Sequence, residues 1–133
     1  MEPAELIARF ESLYDWEERY SYLIQMGRKL PVFPEESRTE ANKVIGCISQ
    51  VWVVSDFVDG RIQLQADSDA FIVKGLIAML VALLNNKTSE EVLLVDIESI
   101  FSEIGLDEHL SPNRRNGFVA MVQRIRNMAQ ATT

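Results

Sequence analysis

The apolar positions along this chain change period twice, from helical spacing to alternation and back. After Pro3, a residue suited to the first turn of a helix, Leu6, Phe10 and Leu13 recur at i, i+4 and i+7 and predict a first amphipathic helix. Asp15 with Glu18 three residues on resembles a capping box, and Tyr20, Leu23 and Ile24 carry a second helix toward a stop at Gly27. Leu30 to Ser37 contains Pro31 and Pro34, each of which turns the residue before it away from helix, so an ordered loop is expected.

The period then shortens to two. Val44 and Ile45 hint at a short strand, and Gln50 to Val58 is rich in the Val, Trp and Phe that favour strands. Asp59-Gly60 supplies the positive φ angles of a type I′ turn, and beyond it Ile62, Leu64 and Ala66 alternate with Arg61, Gln63 and Gln65. One polar face on that second strand predicts an antiparallel sheet covered by helices on one side.

Helical spacing returns for the rest of the chain. Asp67, Ser68 and Asp69 suit a helix N-terminus, and Phe71 to Leu84 is apolar almost all round, as a central core helix should be. Thr88 and Glu91 form a further capping box before Val92 to Val95. Asp96 can cap a helix carrying Ile97, Ile100, Phe101 and Ile104 that ends at Gly105. Ser111-Pro112 opens a last helix with Phe118, Met121, Val122, Ile125 and Met128 on its apolar side. Helices, strands, then helices predict an α+β fold, a small antiparallel sheet of about three strands packed against several helices, in a single domain over residues 1–133.

A net charge of −7 argues against non-specific binding to nucleic acid or an anionic membrane surface, both of which need an excess of Lys and Arg. The longest apolar run, Gly75 to Leu84, is far below the roughly 18 residues that span a bilayer. One cysteine makes no internal disulfide, and Met1 to Glu5 has no basic and apolar leader pattern, so a reducing cytoplasm is the expected setting.

Cys47 is that one cysteine, following Gly46 at the entry to the hairpin. It fits either a buried small hydrophobe or a nucleophile, and the second role needs a cation or a cluster of N–H groups to lower a thiol pKa of about 8.5. Arg114 and Arg115 are the candidate cations, since they fall in a first helical turn where the dipole disfavours positive charge; an ion pair with a carboxylate accounts for them equally well. Asp67 and Asp69 are sufficiently explained as caps. His109, the one histidine, follows Asp107-Glu108 in a short polar connector and reads as a local hydrogen-bonding residue rather than the base of a Cys–His hydrolase. One cysteine and one histidine fall short of a zinc or iron–sulfur ligand set, and no nucleotide-binding glycine motif is present.

Gly46-Cys47-Ile48-Ser49-Gln50-Val51-Trp52 resembles the cysteine motif of the SufE family. Ala66 to Leu76 resembles the family's helix-opening segment, and Leu110 to Gly117 resembles its late SP-x-R-x-x-G motif. The three occur in the family's order, and the similarity runs from about Leu6 to about Met128. Ile48 departs from the motif, which commonly has Gln there, and so loses any hydrogen bond from that side chain without touching the nucleophile.

The resemblance implies a sulfur acceptor with the SufE/IscU-like fold, an accessory sulfur-transfer protein rather than a stand-alone enzyme. Its partner would be a pyridoxal-phosphate cysteine desulfurase of the SufS type, whose persulfide sulfur Cys47 would take, stimulating the desulfurase. The sulfur would pass to a scaffold complex for iron–sulfur cluster assembly, with no metal or organic cofactor held by the carrier; homodimer formation stays open. Asp69 and Arg114 match the acid and arginine linked to the cysteine site in the family. A lone thiol sets the chain apart from the multi-cysteine scaffolds that share the fold. The alternative is a non-catalytic adaptor that regulates a desulfurase by docking, with Cys47 a buried structural residue. Reasoning from persulfide chemistry and the apolar flanks Ile45, Ile48 and Val51, Cys47 is expected to be protected in the free protein and reactive on docking.

Overall fold

In the computed structural model, which describes residues 1–131, α1 (Pro3–Glu11) and α2 (Trp16–Arg28) come first, and α1 buries Leu6 and Phe10 as its spacing requires. The Asp15 carboxylate accepts from the Glu18 N–H, while Glu18 reaches back to the Tyr14 N–H rather than to Asp15. Thr132 and Thr133, the end of the domain expected over 1–133, lie outside the described residues.

The hairpin pairs β1 (Val51–Val58) with β2 (Arg61–Ser68) antiparallel, and its turn is the expected one, with φ of 53° at Asp59 and 76° at Gly60. Val51, Val53, Ile62, Leu64 and Ala66 are buried. Among the described residues the sheet has two strands, not about three. Val44 and Ile45 fail to extend it because Gly46, at φ 100°, turns the chain away after one isolated bridge, Lys43 to Trp52. On the other edge, residues 85–88 occupy β2 without forming a strand: the Ile62 N–H donates to Lys87 O, and the Asn86 N–H to Ile62 O.

Helix α3 (Phe71–Leu84) is the core helix, with Leu76, Ile77, Met79, Leu80 and Leu83 at zero exposure. It packs on α2 and on β2. Gly27 lies inside α2 instead of ending it, for a reason of contact. A Cβ there would stand 2.9 Å from the Gly75 backbone nitrogen, and one on Gly75 would stand 2.3 Å from Leu23 O, so paired glycines let α2 and α3 touch backbone to backbone.

Four helices follow among the described residues: α4 (Ser89–Leu94), α5 (Ile97–Glu103), α6 (Leu106–His109) and α7 (Pro112–Gln130). The Thr88–Glu91 capping box forms in both directions, Asp96 caps α5 through the Ser99 N–H, and Ser111 caps α7 through the Arg114 N–H. The polar connector expected around His109 is the short helix α6, entered from Gly105 at φ 80°. Phe101 and Phe118 stack at 4.3 Å and join α5 to α7.

Candidate functional site

Cys47 lies on the loop between Val44 and Val51, and backbone chemistry closes both ends of that loop. The Val44 N–H donates to Val51 O at 2.9 Å. At the exit, the Gln50 N–H donates to Asp69 Oδ1 at 3.0 Å and the Asp69 N–H returns to Gln50 O at 3.2 Å. Gly46 brings the loop against α7, where a Cβ on it would lie 3.3 Å from the Ala120 Cβ. The Cys47 thiol then donates to Gly117 O at 3.4 Å.

The sulfur is half-buried, while Ile45 and Ile48 are 84% and 80% exposed. Of the three apolar flanks only Val51 is buried. Beside the sulfur is a cavity of about 210 Å³, and Ile48, though exposed, lines it at its rim. Its lining is apolar at Val73, Leu76 and Met121, and polar at Ser49, Ser111, Asn113 and Arg114.

Arg114 thus shares a cavity with Cys47, as a residue of the first turn of α7. Its side chain makes no ion pair among the described residues, so the alternative of a structural carboxylate partner does not apply. Arg115 is exposed and lies outside the cavity lining. Activation of Cys47 by a cation is not what the resting site displays: burial pushes the thiol pKa up, which favours the neutral form.

The two acids do not cap α3, whose N-cap is Ala70 with no side-chain hydrogen bond. The reason is that β2 continues through Ser68, which puts Asp67 in the sheet opposite Trp52 and Asp69 at the loop exit. Asp69 holds Gln50 and does not line the cavity. Asp67 is buried, paired to Arg38 at 2.6 Å and to Lys74 at 3.2 Å. Burial pushes its pKa up, but the hydrogen bonds from Arg38, the Ser68 N–H and Lys74 outweigh that and hold the carboxyl below its usual range.

Sequence reasoning missed Arg38 altogether. Its guanidinium lies over the Phe33 and Trp52 rings at 5.3 and 5.0 Å, and through Asp67 it ties the irregular segment leading to the cysteine loop onto β2. Arg124 holds the same segment by donating to Ala41 O at 2.8 Å. An arginine in a polar loop carries no periodicity, so nothing in the sequence pattern marked it.

His109 stands outside the Cys47 cavity. Its ring stacks on Trp16 at 3.7 Å, Nδ1 lies 3.0 Å from Gly105 O, and Tyr20 donates its hydroxyl to His109 O. Among the described residues no group of three or more His, Cys, Asp or Glu is placed to hold a metal ion. No helix among them is long and apolar enough to cross a membrane.

A single half-buried thiol, clamped by its loop against a helix beside an arginine with no ion pair among the described residues, defines a thiol-centred α+β protein. The SufE family model, described as the Fe-S metabolism associated domain, matches residues 4–129. An uncharacterized SufE-like protein of Rhizobium meliloti (strain 1021) is 44% identical over 130 residues, covering 95% of this chain and 93% of the relative. A second uncharacterized SufE-like protein, from Rhizobium etli, is 45% identical over 130 residues, covering 95% and 88%. The solution structure of a hypothetical protein from Thermus thermophilus matches with a TM-score of 0.80 at 25% identity, covering 97% of this chain and 93% of that one. The chain belongs to the SufE family, and its domain is associated with iron–sulfur metabolism.

Proposed function

We propose that the protein is a persulfide carrier: Cys47 takes the terminal sulfur of a cysteine desulfurase persulfide, stimulates that enzyme by clearing it, and passes the sulfur on for iron–sulfur cluster assembly. The observation that carries this reading is the placement of the chain's one thiol beside a cavity, between two exposed apolar residues, in a SufE domain. In the transfer, Cys47 sulfur attacks the outer sulfur of the enzyme's Cys–S–S⁻. The S–S bond to the enzyme breaks and a new one forms on Cys47, and the Cys47 proton leaves with the enzyme's sulfur as a thiol. No outside oxidant is needed, since the transferred sulfur brings its oxidation state with it.

The desulfurase is of the SufS type, the recipient a cluster scaffold complex, and the setting the cytoplasm. Ile45, Ile48, Phe71 and Val119 are exposed apolar residues within two positions of the cavity lining, which suits closure of the site by a partner. A neutral thiol bonded to Gly117 O in the free protein fits a carrier whose cysteine reacts only when docked. Intact-mass spectrometry in non-reducing buffer, after incubation with desulfurase and cysteine, should detect one added sulfur atom on Cys47 and none on Cys47→Ala. Undiminished stimulation by Cys47→Ala would replace the carrier with an adaptor that acts by docking alone.

A further inference from the structure

The Cys47 cavity has an uneven chemistry that sulfur transfer between two proteins does not by itself require. Arg114 brings a full positive charge and up to five N–H donors, and no carboxylate among the described residues pairs with it. Among the described residues no Asp or Glu lines the cavity, although the chain as a whole carries a net charge of −7. Ser111 Oγ accepts from the Arg114 N–H at 3.3 Å, which occupies a lone pair and leaves its O–H free to donate. Ser49 adds a second hydroxyl, and Val73 and Leu76 supply an apolar wall. The space, about 210 Å³, is below the roughly 300 Å³ at which drug-sized pockets begin. It therefore fits a ligand about the size of one amino acid.

We propose that this cavity is a binding site for a small organic carboxylate, of the class of a free amino-acid thiol or its persulfide, with Arg114 holding the carboxylate and the carbon chain lying on the apolar wall beside Cys47. The inference deepens the persulfide-carrier reading by giving the acceptor cysteine a ligand pocket of its own. It needs no partner protein, so it is tested on the isolated chain. A guanidinium matches a carboxylate through two parallel N–H bonds, which a lysine at the same place would not reproduce. A carboxylate on a partner's side chain shares this chemistry, and the free ligand is distinguished by binding when no partner is present.

The test compares alkylation of Cys47 by iodoacetate, which carries a carboxylate, with alkylation by neutral iodoacetamide of similar size. In the wild-type protein the iodoacetate rate should saturate with reagent concentration, the iodoacetamide rate should stay linear, and S-methylcysteine should slow both. In Arg114→Gln the iodoacetate rate should become linear, and its ratio to the iodoacetamide rate should fall by about tenfold or more, as expected for one lost charge-assisted hydrogen bond. The ratio is taken within each variant, so a general change in Cys47 exposure cancels. Arg115→Gln, outside the cavity, should keep the saturation. Linear rates for both reagents in the wild-type protein, or an unchanged ratio in Arg114→Gln, would overturn the proposal. Neither measurement involves a desulfurase, so either result leaves the carrier reading to its own mass-spectrometric test.

Discussion

Gly117 makes room for the Cys47 sulfur and also accepts its hydrogen bond: Sγ lies 3.4 Å from the Gly117 carbonyl oxygen, and a Cβ built on Gly117 would stand 3.4 Å from Sγ. The glycine costs α7 helical stability, since Gly inside a helix is worse than Ala by about 0.5–1 kcal/mol. A methyl group at that distance makes ordinary contact with the resting thiol but takes space beside it. Gly117→Ala should therefore raise the urea midpoint slightly and slow persulfide acceptance severalfold. A stable variant with unchanged acceptance would show that the transferred sulfur does not occupy the space next to Gly117.

The thiol itself has a pH signature. Burial raises the Cys47 pKa in the folded state, so the folded protein holds that proton more tightly than the unfolded chain does. The resulting stabilisation is fully present below the unfolded thiol value of about 8.5 and is lost as pH rises through the folded value. Between neutral pH and about pH 10, the urea midpoint of the wild-type protein should fall relative to that of Cys47→Ala. Parallel curves would mean that the thiol titrates alike in both states.

Local signals in the sequence were read well because local chemistry decides them. The Asp59-Gly60 turn, the caps at Thr88 and Asp96 and the helix start at Ser111-Pro112 each need only a few neighbouring residues, and each formed. Asp67 and Asp69 misled for the opposite reason. Acids before an apolar helix look like caps, but two more residues of strand pairing carried them into the sheet and the loop clamp. The third strand failed on a backbone angle, since the positive φ at Gly46 turns the cysteine loop toward α7 where a Val-Ile pair alone would extend. At the site, motif order pointed to Cys47 and Arg114, which the fold brings to one cavity, while Asp69 is a clamp on the loop's exit. The Gly117 acceptor and Arg38 were invisible because each acts through a contact distant in sequence.

The Arg38–Asp67–Lys74 cluster should matter to stability more than any surface pair. The Asp67 side chain is 12% exposed, against 26% for Arg38 and 32% for Lys74, so removing the acid leaves Lys74 with no ion pair among the described residues and Arg38 with only the exposed Glu35. Asp67→Asn should cost on the order of 2 kcal/mol in urea denaturation, less than a fully buried pair because both cations retain water. The pH dependence has a definite sign. The folded-state pKa of Asp67 is lowered, so its contribution is present above the ordinary Asp value of about 3.9 and is lost as pH falls through the folded value. Wild-type and Asp67→Asn stabilities should therefore converge on acidification, and a constant gap down to about pH 2 would rule out the ion pairs as its source.

Arg114 should separate function from folding. Its backbone N–H donates to the Ser111 cap, and any non-proline residue supplies that group. The guanidinium makes no ion pair among the described residues, so Arg114→Ala should change thermal stability by no more than about 0.5 kcal/mol, the range of surface substitutions. Loss of the one cation that lines the Cys47 cavity among the described residues should nevertheless cut stimulation of the desulfurase severely. Arg114→Lys decides between charge and shape: a lysine restores a positive charge but not the planar fork. If the fork grips a carboxylate, Lys should recover little of the stimulation; if a positive charge near the sulfur is enough, it should recover most. Arg114→Ala that unfolds, or that stimulates like the wild-type protein, would remove this residue from the site and leave Cys47 to act with the loop and Gly117 alone.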